Sequence, residues 1–354
     1  MILSLLILLI PVNFCLKFMK SAKIFSILLL FFVCFQTARA DWTRQNLNTL
    51  AWLQDVYFLD ERTGWIVGSG GTYLATTDGG VTWKKEKNFT GDTIRQVYFT
   101  DEQTGWLLCE RDLYTLGTNS PSYLLKTING GVYWERIEFA DSQRKRVTRF
   151  FFTKNGAGLA IGEGGALFAV TNDKKIWKRM PSPVRYLMSD GIFTDDSNGT
   201  IVGAGGSILF TDDAGLSWTK ASVIGGAETK LNAVFFVNQK TGWTVGSGGK
   251  VFQTVNGKTW REQKTNVAVD LTDVFFSNTA EGWAVGNEGT ILHTTTAGNI
   301  WTAINSETKH KLERIFFTGK KGWAVGFGGT ILSYDENQKS ADLFVLPPKL
   351  KTRN

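Results

Sequence analysis

The chain has 354 residues, of which 43% are hydrophobic and 20% charged, and it contains 38 Gly, 6 Pro, 25 Phe and 13 Trp. This composition excludes collagen, coiled coils and disordered chains, and it provides apolar material for a large core. The formal net charge is +7, but the first 40 residues carry four bases and no acid, so the remainder carries +3. Because phosphate binding needs a concentrated basic stripe, we expect no nucleic-acid partner.

The N-terminal segment, residues 1–40, is predicted to be a secretory signal peptide. A basic stretch begins at Met19, an apolar run covers residues 24–35, and residues 38–40 read Ala-Arg-Ala, the form of a cleavage site. The apolar run has 12 residues and is too short to span a bilayer. We therefore expect translation to start at Met19, and the mature protein to be exported and peripheral to a membrane at most. A retained anchor formed by residues 1–18 is the alternative.

A repeat of about 40 to 53 residues occurs seven times between residues 41 and 335. Each copy has an apolar run, then a glycine that opens a second strand pattern, then a third and a polar fourth strand. The marker glycines are Gly64, Gly105, Gly158, Gly199, Gly242, Gly282 and Gly322. Four strands in a repeat of this length are typical of a propeller blade. We predict an all-β protein, a seven-bladed β-propeller of four-stranded blades.

A turn signature, Thr-x-Asp-x-Gly-x-x-Trp, lies between the third and fourth strands, for example at residues 76–83 and 211–218. Its Asp is expected to accept hydrogen bonds from backbone N–H groups, its Gly to supply a positive φ, and its Trp to pack under the turn. The last repeat lacks this Trp, whereas residues 41–45 match a fourth strand. The N-terminal strand is therefore predicted to complete the last blade and remove the free sheet edge. Residues 336–354 are predicted to be a C-terminal tail.

The repeat resembles a known family. Units of the form GWxVGxxGxxLxTxDGGxxW over residues 41–335 resemble the photosystem II assembly and stability factors of cyanobacteria and plastids, and their relatives in non-photosynthetic bacteria. The resemblance implies a non-enzymatic protein that binds newly made membrane proteins. It also implies a periplasmic, secreted or thylakoid-lumen location. We expect a monomer with a protein partner and no cofactor, and the resemblance implies that this partner is a membrane-protein precursor.

One face of the propeller is expected to carry the starts of the innermost strands and the loops between second and third strands. Arginines occur at strand starts of blades 2, 3 and 7, an aspartate at that of blade 1, and unusual aromatic residues lead into blade 1 and into the loop of blade 7. These blades are contiguous, and Arg and Trp are frequent anchors of protein interfaces. The candidate binding residues are Arg95, Arg149, Arg314, Trp52, Phe327 and Asp55.

Two alternatives stay open at this point. In the first, the arginines only pair with inner-ring carboxylates such as Asp55 and Glu313 in the central opening, and a loop covers Phe327. The second alternative is a glycan-binding or sialidase-like propeller, because similar Asp turns occur in sialidases. Its only candidate nucleophile would be Tyr186, beside Asp190. Seven blades where sialidases have six argue against it, and we expect no catalytic residues.

Other chemistry has little support in the sequence. The two histidines, His293 and His310, have no metal-ligand spacing. Once the signal peptide is removed, Cys109 is a lone thiol and is expected to be a small buried residue. Blade 2 has an insertion from Glu110 to Ser122, which is either a specificity loop over the binding face or a neutral extension. In the second case Arg111 and Asp112 are simply a solvated pair. A basic run, residues 144–146, is expected to add positive charge to the same face.

Overall fold

The computed structural model describes residues 42–112, 120–140, 144–170 and 176–337. The predicted signal peptide and all but the first two residues of the predicted tail lie outside these residues. Strands make up almost all of the regular structure, and short 3-10 turns follow the second strand in six blades. In this part of the chain no helix is both long and apolar enough to cross a membrane.

The described strands form seven four-stranded blades, as the repeat predicts. The innermost strands are β2 (Leu53–Phe58), β6 (Thr93–Phe99), β10 (Val147–Phe152), β14 (Met188–Phe193), β19 (Leu231–Phe236), β23 (Leu271–Phe276) and β27 (Leu312–Thr318). The second strands are β3 (Gly64–Gly68), β7 (Gly105–Glu110), β11 (Gly158–Gly162), β15 (Gly199–Gly203), β20 (Gly242–Gly246), β24 (Gly282–Gly286) and β28 (Lys321–Gly326). The third strands are β4 (Tyr73–Thr76), β8 (Ser122–Thr127), β12 (Leu167–Val170), β16 (Ile208–Thr211), β21 (Val251–Thr254), β25 (Ile291–Thr294) and β29 (Thr330–Asp335).

The outer strands are β5 (Lys84–Lys85), β9 (Glu135–Ala140), β13 (Trp177–Arg179), β17 (Thr219–Lys220), β22 (Thr259–Gln263), β26 (Thr302–Ile304) and, in blade 7, β1 (Thr43–Gln45). β1 pairs with β29 through the register Thr43↔Ser333. The N-terminal strand therefore closes the last blade, as predicted.

Two pairs of neighbouring blades are also joined by strand pairing at their outer edges. β9 pairs in parallel with β13 between blades 2 and 3, and β18 (Ser222–Ile224) pairs in parallel with β22 between blades 4 and 5.

The Gly-Trp pair at the start of a second strand joins neighbouring blades. The ring of Trp65 in blade 1 stacks on Phe99 of blade 2 with centroids 3.8 Å apart, and Trp323 of blade 7 stacks on Phe58 of blade 1 at 3.8 Å. The preceding glycine leaves room for these rings, because a Cβ on Gly64 would lie 2.5 Å from the ring of Phe58. Each such pair buries large aromatic area between blades.

The Asp turns have the predicted geometry. Asp78 Oδ1 accepts hydrogen bonds from Thr82 N at 2.9 Å and Thr76 Oγ1 at 2.7 Å, and Gly80 has φ 72°. The hydrogen bonds, above all from the Thr82 side chain, lower the pKa of Asp78 to about 2. Trp83 is buried, and its ring packs edge to face on Phe58 with centroids 5.7 Å apart. These carboxylates are therefore turn caps and not part of an open site.

Candidate binding funnel

Every innermost strand carries a β-bulge near its start, and the bulges shape the central opening. In blade 1, Leu53 pairs with Gly68 and Asp55 with Val67, so Gln54 is the extra residue. The seven bulge residues are Gln54, Arg95, Thr148, Ser189, Asn232, Thr272 and Glu313. All seven line one cavity of about 300 Å³, which we call the funnel. A bulge re-aims side chains, so consecutive residues reach two levels of the funnel.

The residues that directly follow the bulges lie at the deeper level. Three carboxyls and two guanidiniums meet there in a group that we call the floor cluster. The floor cluster comprises Asp55, Arg149, Asp190, Asp273 and Arg314. It joins blades 1, 3, 4, 6 and 7 at the centre of the ring.

Arg314 is the main cation of the floor cluster. Its Nη1 lies 2.8 Å from Asp273 Oδ1, its Nε 3.4 Å from Asp55 Oδ1 and its Nη2 3.6 Å from Asp190 Oδ1. Arg149 Nε lies 3.5 Å from Asp190 Oδ1, and its Nη1 lies 4.0 Å from Asp55 Oδ2. Both arginine side chains are only 13% exposed. The two guanidiniums are therefore held by carboxylates inside the protein.

The carboxyls of the floor cluster also bind the neighbouring blades through backbone hydrogen bonds. Val97 N donates to Asp55 Oδ2 at 3.0 Å, Val234 N to Asp190 Oδ2 at 3.1 Å, and Ile315 N to Asp273 Oδ2 at 2.9 Å. In each case the acceptor belongs to the preceding blade.

Burial raises the pKa values of all three floor carboxyls. It raises the pKa of Asp55 and that of Asp190 to about 6, against the partial offset of the Arg149 charge, and it raises the pKa of Asp273 well above its usual range. Burial dominates because a charged carboxylate loses its hydration there, and three acids share only two guanidiniums.

The wall of the funnel carries charges that are more open to solvent. Arg95 Nε lies 2.6 Å from Glu110 Oε2, and its Nη1 donates to Gln54 Oε1 at 2.8 Å. Arg146, from the basic run before blade 3, bridges Glu110 at 3.2 Å and Glu163 at 2.6 Å. Lys230 also lines the funnel, and no carboxylate among the described residues pairs with it. The wall therefore presents two arginines that are about one third exposed, Arg95 and Arg146, and one exposed lysine without a carboxylate partner in the described part of the chain, Lys230.

The predicted aromatic residues lie together at the rim. Trp52 and Phe327 pack edge to face with centroids 5.6 Å apart, and they are 37% and 50% exposed. Trp52 Nε1 donates to Glu313 Oε1 at 2.7 Å, and Lys311 Nζ lies 5.5 Å from the Trp52 ring centre. The sequence alternative in which a loop covers Phe327 is wrong, because half of its surface is open.

The six candidate binding residues thus fall into three groups and not one patch. Arg149, Arg314 and Asp55 lie in the floor cluster, Arg95 lies on the wall, and Trp52 and Phe327 lie at the rim. The alternative in which arginines pair with inner-ring carboxylates holds for Arg149 and Arg314. Sequence reasoning did not foresee Glu110 as the partner of Arg95, nor Lys230 and Lys311 as funnel residues. The position of Lys230 and Lys311, each directly before an inner strand, was a usable signal.

The other candidate residues are placed as follows. Tyr186 is 58% exposed and does not line the funnel, whereas Asp190 belongs to the floor cluster. Cys109 is fully buried as expected, and burial raises its thiol pKa to about 12. His293 contacts Glu281 and His310 contacts Thr330. Within residues 42–112, 120–140, 144–170 and 176–337, no group of three or more His, Cys, Asp or Glu could hold a metal ion.

The blade 2 insertion is shorter than the sequence indicates. Glu110 and Ser122 are paired strand residues, so the connection is residues 111–121, and residues 113–119 lie outside the described part. Arg111 is not in a solvated pair. It is buried, lies 2.5 Å from Glu138 and donates to the backbone oxygen of Ser120. The guanidinium also covers the ring of Tyr123, so Arg111 anchors the base of the loop.

Comparisons with known proteins agree with this architecture. Two YCF48 structures are similar to the chain at 20% identity: YCF48 bound to a D1 peptide, with a TM-score of 0.67 over 84% of this chain and 96% of that one, and YCF48 from Cyanidioschyzon merolae, with a TM-score of 0.68 over 84% and 99%. A catalytically inactive virginiamycin B lyase from Staphylococcus aureus with quinupristin is 14% identical, with a TM-score of 0.69 over 83% of this chain and 99% of that one. At these identities the likenesses establish the fold alone. No curated protein sequence matches the chain significantly.

The family model described as photosynthesis system II assembly factor YCF48 matches residues 35–143, 139–255 and 252–353. These matches cover the whole propeller, including the floor cluster, the wall and the rim of the funnel. The chain therefore belongs to the YCF48 family of photosystem II assembly factors.

Proposed function

We propose that this protein is an exported, non-catalytic assembly factor that binds a segment of a newly made membrane protein at the funnel. The observation that carries the proposal is the funnel itself, an open cavity with exposed cations on its wall and an exposed Trp–Phe pair at its rim. Family membership supports this use, since a similar YCF48 structure is described as bound to a D1 peptide. The proposed location is the periplasm, the cell exterior or the thylakoid lumen.

In this proposal, different parts of the funnel have different tasks. Arg95, Lys230 and Lys311 would attract carboxylates or carbonyl oxygens of the partner, while Trp52 and Phe327 would bury its apolar side chains. Large aromatic residues and charged hydrogen-bond donors at a cavity mouth are typical anchors of an interface. Arg149 and Arg314 are left out of the contact surface because floor carboxylates hold them and their side chains are only 13% exposed. Arg95 and Lys311 also pair with carboxylates, Glu110 and Glu313, but they are 33% and 37% exposed.

The test is capture of the partner from the envelope of the host cell. The tagged protein is crosslinked in the envelope, and captured proteins are identified by mass spectrometry. We expect one membrane protein or its precursor to be enriched. Enrichment should be lost in a variant that combines Arg95→Glu, Lys230→Glu and Trp52→Ala. The matched control combines Lys84→Glu and Lys85→Glu. It also replaces two positive charges by negative ones, but on the outer strand of blade 1, away from the funnel. Equal capture by the wild type and the funnel variant would contradict the proposal.

We propose that the protein has no enzymatic activity. The carboxyls inside the funnel are engaged with arginines or backbone N–H groups, except that of Glu313, which accepts a hydrogen bond from Trp52 Nε1 and pairs with Lys311. Tyr186 lies outside the funnel. The assay is turnover of a panel of sialosides, polysaccharides and quinupristin. Turnover that disappears in Tyr186→Phe or Asp190→Asn would overturn the proposal.

A further inference from the structure

A second cavity, of about 790 Å³, lies between blades 1 and 2. We call it the seam cleft. Its lining residues include Tyr73, Phe89, Trp134, Tyr133, Lys87 and Arg136. None of the residues that line the funnel belongs to it. In contrast to the seams between blades 2 and 3 and between blades 4 and 5, no strand pairing among the described residues closes this one.

Tyr73 is an unusual residue for its position in the repeat. It pairs with Val67, and the register of the other six blades places aliphatic residues there: Leu124, Leu167, Ile208, Val251, Ile291 and Ile331. Tyr73 is 4% exposed, and its hydroxyl has no hydrogen-bond partner. A buried hydroxyl without a hydrogen-bond partner lowers the stability of the folded protein. Because aliphatic residues fill this position in the other six blades, packing alone does not explain why blade 1 has a hydroxyl here.

The unpaired hydroxyl has a neighbour in the same condition. Trp134 Nε1 is also buried without a partner, but so are the indole N–H groups at the same repeat position in four other blades, Trp42, Trp177, Trp260 and Trp301, so the Tyr73 hydroxyl is the unusual donor. An atom at the Cβ position of Gly131 would lie 3.5 Å from Tyr73 Oη and 3.6 Å from Trp134 Nε1, so both polar atoms face the same small space. Both can donate, and the indole can only donate, so the group that satisfies them is an acceptor oxygen.

Aromatic and charged groups surround this pair of donors. The Phe89 ring lies 5.5 Å from Tyr73 and 5.4 Å from Trp134, and it covers the space between them. Phe89 is 37% exposed and belongs to a stretch, residues 86–92, with no strand pairing. Phe89 is therefore the side chain that an entering acceptor would have to displace. Lys87, Arg136 and one carboxylate, Glu86, line the same cleft. Glu86 pairs with Lys84 at 2.9 Å, and no carboxylate among the described residues pairs with Lys87 or Arg136, so cations exceed acids there.

We propose that the seam cleft is a second peptide-binding site, for an extended segment with an aromatic side chain next to a carboxylate. The aromatic side chain packs against Phe89 and Trp134. The carboxylate accepts hydrogen bonds from Tyr73 Oη and Trp134 Nε1, and Lys87 and Arg136 attract it. This inference does not rest on the function proposed for the funnel, since the two cavities have no lining residue in common.

The experiment measures binding of a fluorescein-labelled octapeptide of alternating phenylalanine and aspartate to the purified protein by fluorescence anisotropy. Two control peptides replace either all phenylalanines by serine or all aspartates by lysine. We expect the first peptide to bind and both controls to bind at least tenfold more weakly. Tyr73→Phe removes only the hydroxyl, and it should weaken binding about tenfold or more, as expected for a lost hydrogen bond to a charged group. Trp134→Phe should act in the same direction.

Tyr57→Phe is the matched control, because Tyr57 lies in the same blade and its part-buried hydroxyl donates to Phe99 O at 2.9 Å. It should lower the melting temperature and leave peptide binding unchanged, whereas Tyr73→Phe should not lower the melting temperature. Equal affinity of the wild type and Tyr73→Phe would overturn the proposal, and so would the absence of binding. Binding that is lost in Arg95→Gln but kept in Tyr73→Phe would place the peptide in the funnel. That outcome would overturn the second site and leave the function proposed for the funnel intact.

Discussion

The floor and the wall of the funnel are both built around the bulges of the inner strands, yet their charges have different surroundings. On the floor, Arg314 is 13% exposed and contacts three carboxyls within 3.6 Å. On the wall, Arg95 is 33% exposed and pairs with one carboxylate, Glu110. The bulge in each inner strand separates the two levels, because it turns one residue towards the opening and the next towards the centre.

This difference indicates which charges hold the ring together and which remain open to a partner. Removing one member of a buried ion pair costs about 3–5 kcal/mol, since it leaves an uncompensated buried charge. An exposed pair contributes about 0–1 kcal/mol and is weakened by salt. Charges on the floor should therefore act on stability, and charges on the wall should act on binding.

The largest expected effect comes from Arg314→Gln. It leaves three buried carboxyls with Arg149 alone, so the free energy of unfolding should fall by about 3–5 kcal/mol. Urea unfolding followed by tryptophan fluorescence measures this change. Adding Asp273→Asn to the same protein leaves two carboxyls with one guanidinium, so that the carboxyls again exceed the guanidiniums by one, as in the wild type. This second change should recover part of the lost stability. A loss below about 1 kcal/mol in Arg314→Gln would show that the floor cluster does not stabilise the ring.

A smaller effect is expected from the pH dependence of stability. Burial raises the pKa of Asp190 and that of Asp55 to about 6, whereas in the unfolded chain a carboxyl titrates near about 4. Between these values the folded protein holds protons that the unfolded chain has released. The contribution of the floor cluster to stability is therefore present below about pH 4 and falls as the pH rises to about 6, by at most about 1.4 kcal/mol per pH unit and carboxyl.

Asp190→Asn tests this pH dependence. The amide oxygen can still accept the hydrogen bond of Val234 N, and the cluster then has two carboxyls for two guanidiniums. We expect its stability to decrease less than that of the wild type between about pH 4 and pH 6.5, as measured by thermal unfolding across this range. Parallel curves for the two proteins would contradict the assigned role of Asp190. Asp78→Asn on an outer turn is the control, because hydrogen bonds hold the pKa of Asp78 at about 2, below this range.

The fold could be predicted from the sequence because each repeat carries its own local signals. Gly64 and Trp65 mark a second strand, Asp78 and Gly80 mark a turn, and Trp42 marks the strand that closes blade 7. Each of these residues acts through contacts within one or two blades, as in Trp65 stacking on Phe99. The spacing of the repeat then fixed the number of blades and their order.

The site was predicted only in part, because its charges meet across the ring. The sequence placed Arg95, Arg149 and Arg314 on one face, but it does not show that Asp190 and Asp273, from blades 4 and 6, reach the last of these arginines. Partners in distant blades have no signal in a single repeat. The seam cleft was missed for a related reason, since the unpaired hydroxyl of Tyr73 becomes evident only when its neighbours in blade 2 are in place.

The smallest expected effect on stability comes from Arg95→Gln on the wall. Glu110 keeps its contact with Arg146 at 3.2 Å when the Arg95 guanidinium is removed, so no buried charge is left alone. The free energy of unfolding should change by less than about 1 kcal/mol, and the change should shrink further in about 0.5 M NaCl, which screens exposed charges. The loss caused by Arg314→Gln should persist in the same salt, because buried pairs are screened much less. Urea unfolding of both variants at low and high salt separates the two levels. A loss in Arg95→Gln that equals the loss in Arg314→Gln at both salt concentrations would mean that wall and floor stabilise the ring in the same way.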